Sequence, residues 1–563
     1  MKGIIRRVGV VLIALPVVLW GQAAAQKEAV LSSSEQMDKL FDFWNRLDQP
    51  GFAVVVVKDG KVEYQKVFGL ACQEHAAPIT PNTVFNTASL AQVFVGQAVA
   101  LLESQGKLSM DDDVRKFIPE LPDYGTPVKL RHLLYHGSGL RDWLAVLQLG
   151  GRDKDEVTIQ TVLKIVQAQK KPIFPPGDRT QFSNTDYDLL AEVIKRISGK
   201  SFSEWAWENI FKPLKMTRTQ YRDNYRSIFD DEALTYNFTR QEYLRGIDTL
   251  SVTGSHSLYA SIADLGKWLV ALETAPAANQ AVFAKMFTPG DLGGGRKSIY
   301  GCGLNIGFFA GRNQVSQTGT WAGSGAHLVY LPEQKFGFVV LANWDYTPVN
   351  GFGGDIFNIY LSAPAPPPPP PAKKAPAAPA KKAVKVSPKV LDDYAGDYRL
   401  GPRQTFTIRR DGDQLVLLVQ GQKFALTTLG ENEFLLDLAG ARISFQKGPD
   451  GKAARLIWKQ GGEEQQGPRF VLANPTPAEL QEYAGAFSSD ELDLRFVVEV
   501  QGAALVLKAP GQADVRLSPD EKDRFTSAWQ AAPVIVFQRD AEKKVSGFLI
   551  DSNPVRDLIF RKM

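Results

Sequence analysis

The sequence predicts an α+β domain followed by two small antiparallel β-barrels. Three observations carry that expectation. β-rich runs stand near both ends of residues 26–362 with helical periodicity between them, a proline-dense stretch follows, and the remaining chain repeats itself once. At 563 residues the chain is also too long for one core, which rarely serves more than roughly 250–300 residues.

The opening "MKGIIRRVGVVLIALPVVLWGQAAAQ" places Lys2, Arg6 and Arg7 before an apolar run that ends at Trp20 and the small residues Ala23, Ala24 and Ala25. That order reads as a cleavable signal peptide over 1–25. The run is short for a bilayer span, and no other stretch reaches about 18 apolar residues. The expectation is a periplasmic or secreted protein with no membrane span after signal cleavage.

Within 26–362, "GFAVVVVKDGKVEYQKVFGLA" (51–71) is two β-rich runs joined at Asp59-Gly60, a hairpin signal. Helical stretches follow, "SLAQVFVGQAVALLESQGKL" (89–108) with Gly106 as its stop and "YDLLAEVIKRISGKSFSEWAWENIF" (187–211). Strand patterning returns in "SGAHLVYLPEQKFGFVVLANW" (324–344), so one sheet built from both ends of the domain is expected. Residues 363–389, "APAPPPPPPAKKAPAAPAKKAVKVSPK", read as a semi-rigid polyproline spacer kept solvated by its lysines. Beyond it, "VLDDYAGDYRL" matches "ELQEYAGAFSS", and "ISFQKGPDGKAARLIW" matches "IVFQRDAEKKVSGFLI", at an offset of about 90 residues. Short apolar runs between Gly, Asp and Pro turns make each copy a β-barrel-like module, 390–474 and 475–563.

Sixty-five basic against 61 acidic side chains leave a net charge of +4, and no basic face for nucleic acid. The five histidines, at 75, 132, 136, 256 and 327, are scattered, so neither a metal site nor a cofactor is expected. His136 and His327 are taken as structural. Cys72 and Cys302 read as two buried thiols, with pairing in an oxidising compartment left open.

Three short motifs carry the chemical question. Ser89 opens a helix, where backbone N–H groups favour a developing negative charge, and Gln92 returns to the same face one turn on. The second is Phe182-Ser183-Asn184; the third is Gln317-Thr318-Gly319-Thr320, entering a terminal strand. With "GKLSMDDDVRKFIPELP" (106–122), "LRHLLYHGSGL" (130–140) and "HLVYLPEQKFGFVVLAN" (327–343), these stretches resemble the serine β-lactamase and penicillin-binding protein superfamily, in its class C β-lactamase, D-alanyl-D-alanine carboxypeptidase, esterase and D-aminopeptidase branch. The resemblance spans about 35–360 and implies a β-lactamase/transpeptidase-like domain. The spacer and paired barrels look like the three-domain D-aminopeptidase arrangement.

That superfamily's motifs read Ser-x-x-Lys, Tyr-x-Asn and Lys-Thr-Gly or His-x-Gly. Carried over, Ser89 is the nucleophile position, Gln92 replaces the lysine, Phe182 the tyrosine and Gln317 the cationic residue. Asn184, Gly319 and Thr320 remain as substrate-binding positions, and the backbone N–H groups of Ser89 and Thr320 are the implied oxyanion donors. A serine hydroxyl is a weak nucleophile unless a neighbour takes its proton, and neither an amide nor a phenyl ring does so. The expectation is therefore an impaired acyl-transfer site acting as a ligand- or partner-binding module. Its ligand would be a small peptide, an ester or a D-amino-acid-containing molecule, and its place the cell envelope. The alternative is an active esterase, D-aminopeptidase or carboxypeptidase in which Ser89 is served by a rearranged base such as His256, in "TGSHSLYASIADLGKWL".

Overall fold

The computed structural model describes residues 31–361 and 386–563, apart from Arg240, Ala310, Tyr346 and the short stretches 402–403, 420–421, 461–462, 490, 493, 530–533 and 552–554. The expected signal peptide over 1–25 and the expected spacer up to residue 385 lie outside the described residues.

Helix α1 (Ser33–Phe41) opens on a capping box between Ser32 and Glu35. Strands β1 (Phe52–Lys58) and β2 (Lys61–Phe68) make the expected hairpin, and Asp59 and Gly60 both take positive φ, 50° and 70°. The chain continues through β3 (Val84–Asn86), α2 (Ala91–Ser104), α3 (Trp143–Leu149), α4 (Asn184–Ser198), β4 (Thr219–Tyr221), β5 (Leu258–Ser261) and α5 (Ile262–Thr274). It closes with β6 (Asn305–Phe309), β7 (Arg312–Trp321), β8 (Ser324–Leu331), β9 (Phe336–Ala342) and α6 (Gly353–Leu361).

The main sheet runs β6-β7-β8-β9-β1-β2, so the first hairpin joins the last strands as expected, with Phe52 opposite Ala342. Both faces of β1 are covered. Ala53, Val55 and Val57 belong to the core that holds residues of α2 and α5, while Phe52, Val54 and Val56 pack with Met37, Phe41, Ile356 and Phe357 of α1 and α6. This two-sided burial is why "FAVVVV" is continuously apolar rather than alternating. A second sheet, β3-β5-β4, lies beside it and carries the site.

Each repeat folds as a β-module behind a short helix, Pro388–Tyr394 in one and Pro477–Leu480 in the other. The second is a closed eight-stranded barrel. The first is a nine-stranded sheet whose two edges are consecutive in the chain, meeting at Leu426, whose N–H donates to the Leu415 carbonyl (3.0 Å). It is nearly closed. The duplication shows in the packing, since Tyr394 stacks on Phe445 (ring centroids 4.6 Å) and Tyr483 packs on Phe537 (4.8 Å), the same pair in each copy.

The closed barrel docks on the first domain through α3. Ala145, Val146 and Leu149 are buried in the barrel's own core cluster, among Leu480, Phe487 and Phe496. Arg141, just before α3 and 2% exposed, donates through Nη1 to Glu491 of the barrel, and Gln512 Nε2 donates to the Gln148 carbonyl (3.0 Å). Cys72 and Cys302 are both buried free thiols. No helix among the described residues is long and apolar enough to cross a membrane.

Candidate active site

Two antiparallel strands bring the site together. β5 pairs with β3 with Asn86 opposite Tyr259 and Phe85 opposite Ala260. Continued past the end of the ladder, where Thr87 N–H donates to the Leu258 carbonyl (3.0 Å), the same register sets His256 opposite Ser89. The residues that turn the chain out of each strand, Ala88 and Ser257, have φ of +49° and +66°, a left-handed conformation that side chains disfavour. Ala88 is held there by its N–H bond to Asn86 Oδ1 (2.9 Å), and Ser257 by its hydroxyl bond to the Val252 carbonyl (2.7 Å). Such strain gathers where a fold over-determines a functional conformation.

Ser89 sits in the 3₁₀ turn Ala88–Leu90 that leads into α2. Its Oγ is 3.4 Å from His256 Nε2. Proton-transfer pairs close to about 2.6–3.2 Å and are often looser than this before a substrate binds. His256, the base named in the alternative reading, is thus the group within reach of the Ser89 hydroxyl, and strand register rather than a short motif brings it there. On the far side of the ring, Nδ1 lies 2.9 Å from Ser255 Oγ, and the Ser255 hydroxyl and N–H both donate to the Asp188 carboxylate (3.1 and 2.7 Å). Trp143 Nε1 donates to the same carboxylate (2.6 Å). Burial pushes the His256 imidazole down to about 4, opposed by the charge of Asp248, so the ring is neutral at pH 7 and able to accept a proton.

The other expected residues fall into place unequally. Gln92 is fully buried on α2, and neither its Nε2 nor its Oε1 finds a hydrogen-bond partner among the described residues. Gln317 is also buried; its Oε1 accepts from Asn305 Nδ2 (3.0 Å) and the Thr318 N–H (3.1 Å), an amide turned along the sheet. Asn184 is drawn inward, its N–H and Nδ2 both donating to Asp142 Oδ2 (2.6 and 2.8 Å). Only its Oδ1 is unpartnered. Phe182 is 38% exposed and packs on the His136 ring (centroids 4.8 Å). His136 is buried beside Asp186, as its structural reading expects. His327 likewise packs edge-on against Phe338 within the sheet. Gly319 abuts the nucleophile turn so closely that a Cβ there would stand 2.3 Å from the Thr87 carbonyl and 2.8 Å from the Ser89 nitrogen. This contact fixes the end of β7, and so Thr320, against Ser89.

Because burying an unsatisfied amide costs about 1–3 kcal/mol, Gln92→Met is expected to stabilise the protein by a similar amount. A thermal melt checks this; a lowered midpoint would mean the amide is engaged.

Against known proteins, the beta-lactamase family pattern matches residues 38–358. The chain belongs to the beta-lactamase family. Residues 380–469 match a domain of unknown function, DUF3471. Among relatives of this beta-lactamase family chain, penicillin-binding protein 4* of Bacillus subtilis strain 168 is 24% identical over 451 residues, covering 77% of this chain and 98% of its own. A D-aminopeptidase of Brucella anthropi is 22% identical over 543 residues, covering 91% and 95%. The octameric penicillin-binding protein homologue of Pyrococcus abyssi shares the fold at a TM-score of 0.52 and 22% identity, covering 84% of this chain and 97% of that one.

Sequence reasoning missed Ser255, Asp188 and Trp143. One signal was present: Asp188 follows Asn184 by four residues, one turn along the same face of α4.

Proposed function

We propose that the chain is a serine acyl hydrolase acting on esters or D-amino-acid amides, with Ser89 as nucleophile and His256 as its base. The observation that carries this reading is the Ser89 Oγ to His256 Nε2 approach of 3.4 Å, with the opposite ring nitrogen held by Ser255. His256 Nε2 takes the hydroxyl proton as Oγ bonds to the acyl carbon and the carbonyl electron pair moves to oxygen. Backbone N–H groups of Ser89 and Thr320 hold that oxyanion. The imidazolium then returns its proton to the departing alkoxide or amine, and water, deprotonated at the same nitrogen, hydrolyses the acyl-serine. The D-amino-acid side of the substrate class rests on the kinship with D-aminopeptidases, and action in the cell envelope on the signal-like leader.

A binding module with little turnover is the second reading, favoured by the uncharged Gln92, Phe182 and Gln317. An alkyl fluorophosphonate distinguishes them. The hydrolase is expected to take one phosphonyl adduct, located by mass spectrometry on the Ser89 peptide and absent from Ser89→Ala. An unlabelled wild type would leave the binding module standing.

A further inference from the structure

Resting on that reading, we infer that Asp188, acting through the Ser255 hydroxyl, sets which ring nitrogen of His256 carries the proton, and so switches the base for Ser89 on when its carboxyl is ionised. The direction of every hydrogen bond follows from the donors. An ionised carboxylate only accepts. Asp188 Oδ1 receives the Ser255 N–H and Oδ2 receives Trp143 Nε1–H, so the Ser255 hydroxyl must donate to Oδ2 as well. Its oxygen is then left to accept, and among the described residues its partner on that side is His256 Nδ1 at 2.9 Å. Nδ1 therefore holds the ring proton, and Nε2 presents its lone pair to Ser89.

Protonating Asp188 reverses the wire. The acid O–H donates to Ser255 Oγ, the Ser255 O–H donates to His256 Nδ1, and the ring proton moves to Nε2, where it points at Ser89 and blocks transfer. One proton is gained overall, on Asp188, and the imidazole is neutral in both states. Asp188 is thus a positioning residue that never touches substrate.

Its surroundings place the switch in a usable range. Asp188 and Ser255 are fully buried, and burial, reinforced by the charge of Asp142, pushes the Asp188 carboxyl up to about 7 against its three donors. The other ionisable groups around it are His256, Tyr221, and Glu192, Lys195 and Asp223, the last three bordering with it a cavity of about 230 Å³. His256 itself titrates near 4, well below this range. As pH rises through about 7, Asp188 ionises, the Nε2 lone pair becomes available, and hydrolysis rises.

The test measures kcat/KM for p-nitrophenyl butyrate from pH 5 to 9 on the full chain, together with the tautomer of His256 from ¹⁵N-histidine spectra. The wild type should show an ascending limb near neutrality, with Nδ1 protonated above it and Nε2 below. Asp188→Asn, whose amide donates to Ser255 Oγ, should lose the limb and about 10²–10⁴ in rate, as when a carboxylate that orients a catalytic imidazole is replaced by an amide. Ser255→Ala should flatten the limb without removing the carboxylate, and Ser255→Thr should restore it, which keeps the test open if Asp188→Asn folds poorly. A Ser89- and His256-dependent rate whose pH limb survives in Asp188→Asn and Ser255→Ala overturns the relay. Absence of Ser89-dependent hydrolysis instead overturns the hydrolase reading, and the ¹⁵N spectra still decide the relay, since a His256 tautomer indifferent to pH and to Ser255→Ala sinks it.

Discussion

His256→Ala is expected to lower ester hydrolysis by about 10³–10⁶, the range lost when a serine nucleophile is deprived of its base. His256→Gln should fall as far while still bonding to Ser255, which separates proton transfer from packing. The ring also lies against Trp321 (centroids 5.5 Å), so a thermal melt of each variant should accompany the rates. The informative comparison is the double variant. Ser89 and His256 act on one proton, and residues that act as a unit are far from additive, so Ser89→Ala with His256→Ala should be no slower than either alone. Additive losses would place His256 outside the reaction.

Glu491→Ala is expected to destabilise the protein by about 3–5 kcal/mol, read as the shift in the urea midpoint followed by tryptophan fluorescence. The cause is Arg141. Its guanidinium is 2% exposed, Glu491 is the charge it donates to, and its Nε and Nη2 have no hydrogen-bond partner among the described residues. Removing the carboxylate leaves a cation buried with nothing to offset its lost hydration. Changing both, Glu491→Leu with Arg141→Met, should recover most of the loss, because an apolar pair of similar volume avoids the desolvation cost. A single variant as stable as the wild type would show that water reaches Arg141 when the barrel is in place.

Much of the architecture was legible in the chain. The Asp59-Gly60 hairpin, the helix ending at Gly106, the sheet closed from both ends and the duplicated barrels all rest on local patterns of period, turn chemistry and repeat. The site was legible only in part. Ser89, Gln92 and Gln317 could be read from short motifs, because those motifs are local in sequence. His256 could be named as an alternative base for Ser89, but no short motif joins the two, since 167 residues separate them and the pairing of a three-residue with a four-residue strand brings them together. Asn184 was expected to face ligand, yet Asp142, which also caps α3 by accepting the Ala145 N–H (3.1 Å), draws it inward. A motif fixes a backbone position, whereas the direction of a polar side chain depends on which distant donors and acceptors are buried with it.

Helix α3 has a consequence for how the chain can be shortened. Its outer face gives Ala145, Val146 and Leu149 to the terminal barrel, and its first residue, Trp143, gives an indole N–H to Asp188. A chain stopped after residue 474 would wet three aliphatic side chains, strand a guanidinium, and loosen the very turn that steadies the relay. The last 89 residues are therefore a wall of the first domain's interior rather than an appendage, and they should be retained wherever a minimal folded fragment is wanted.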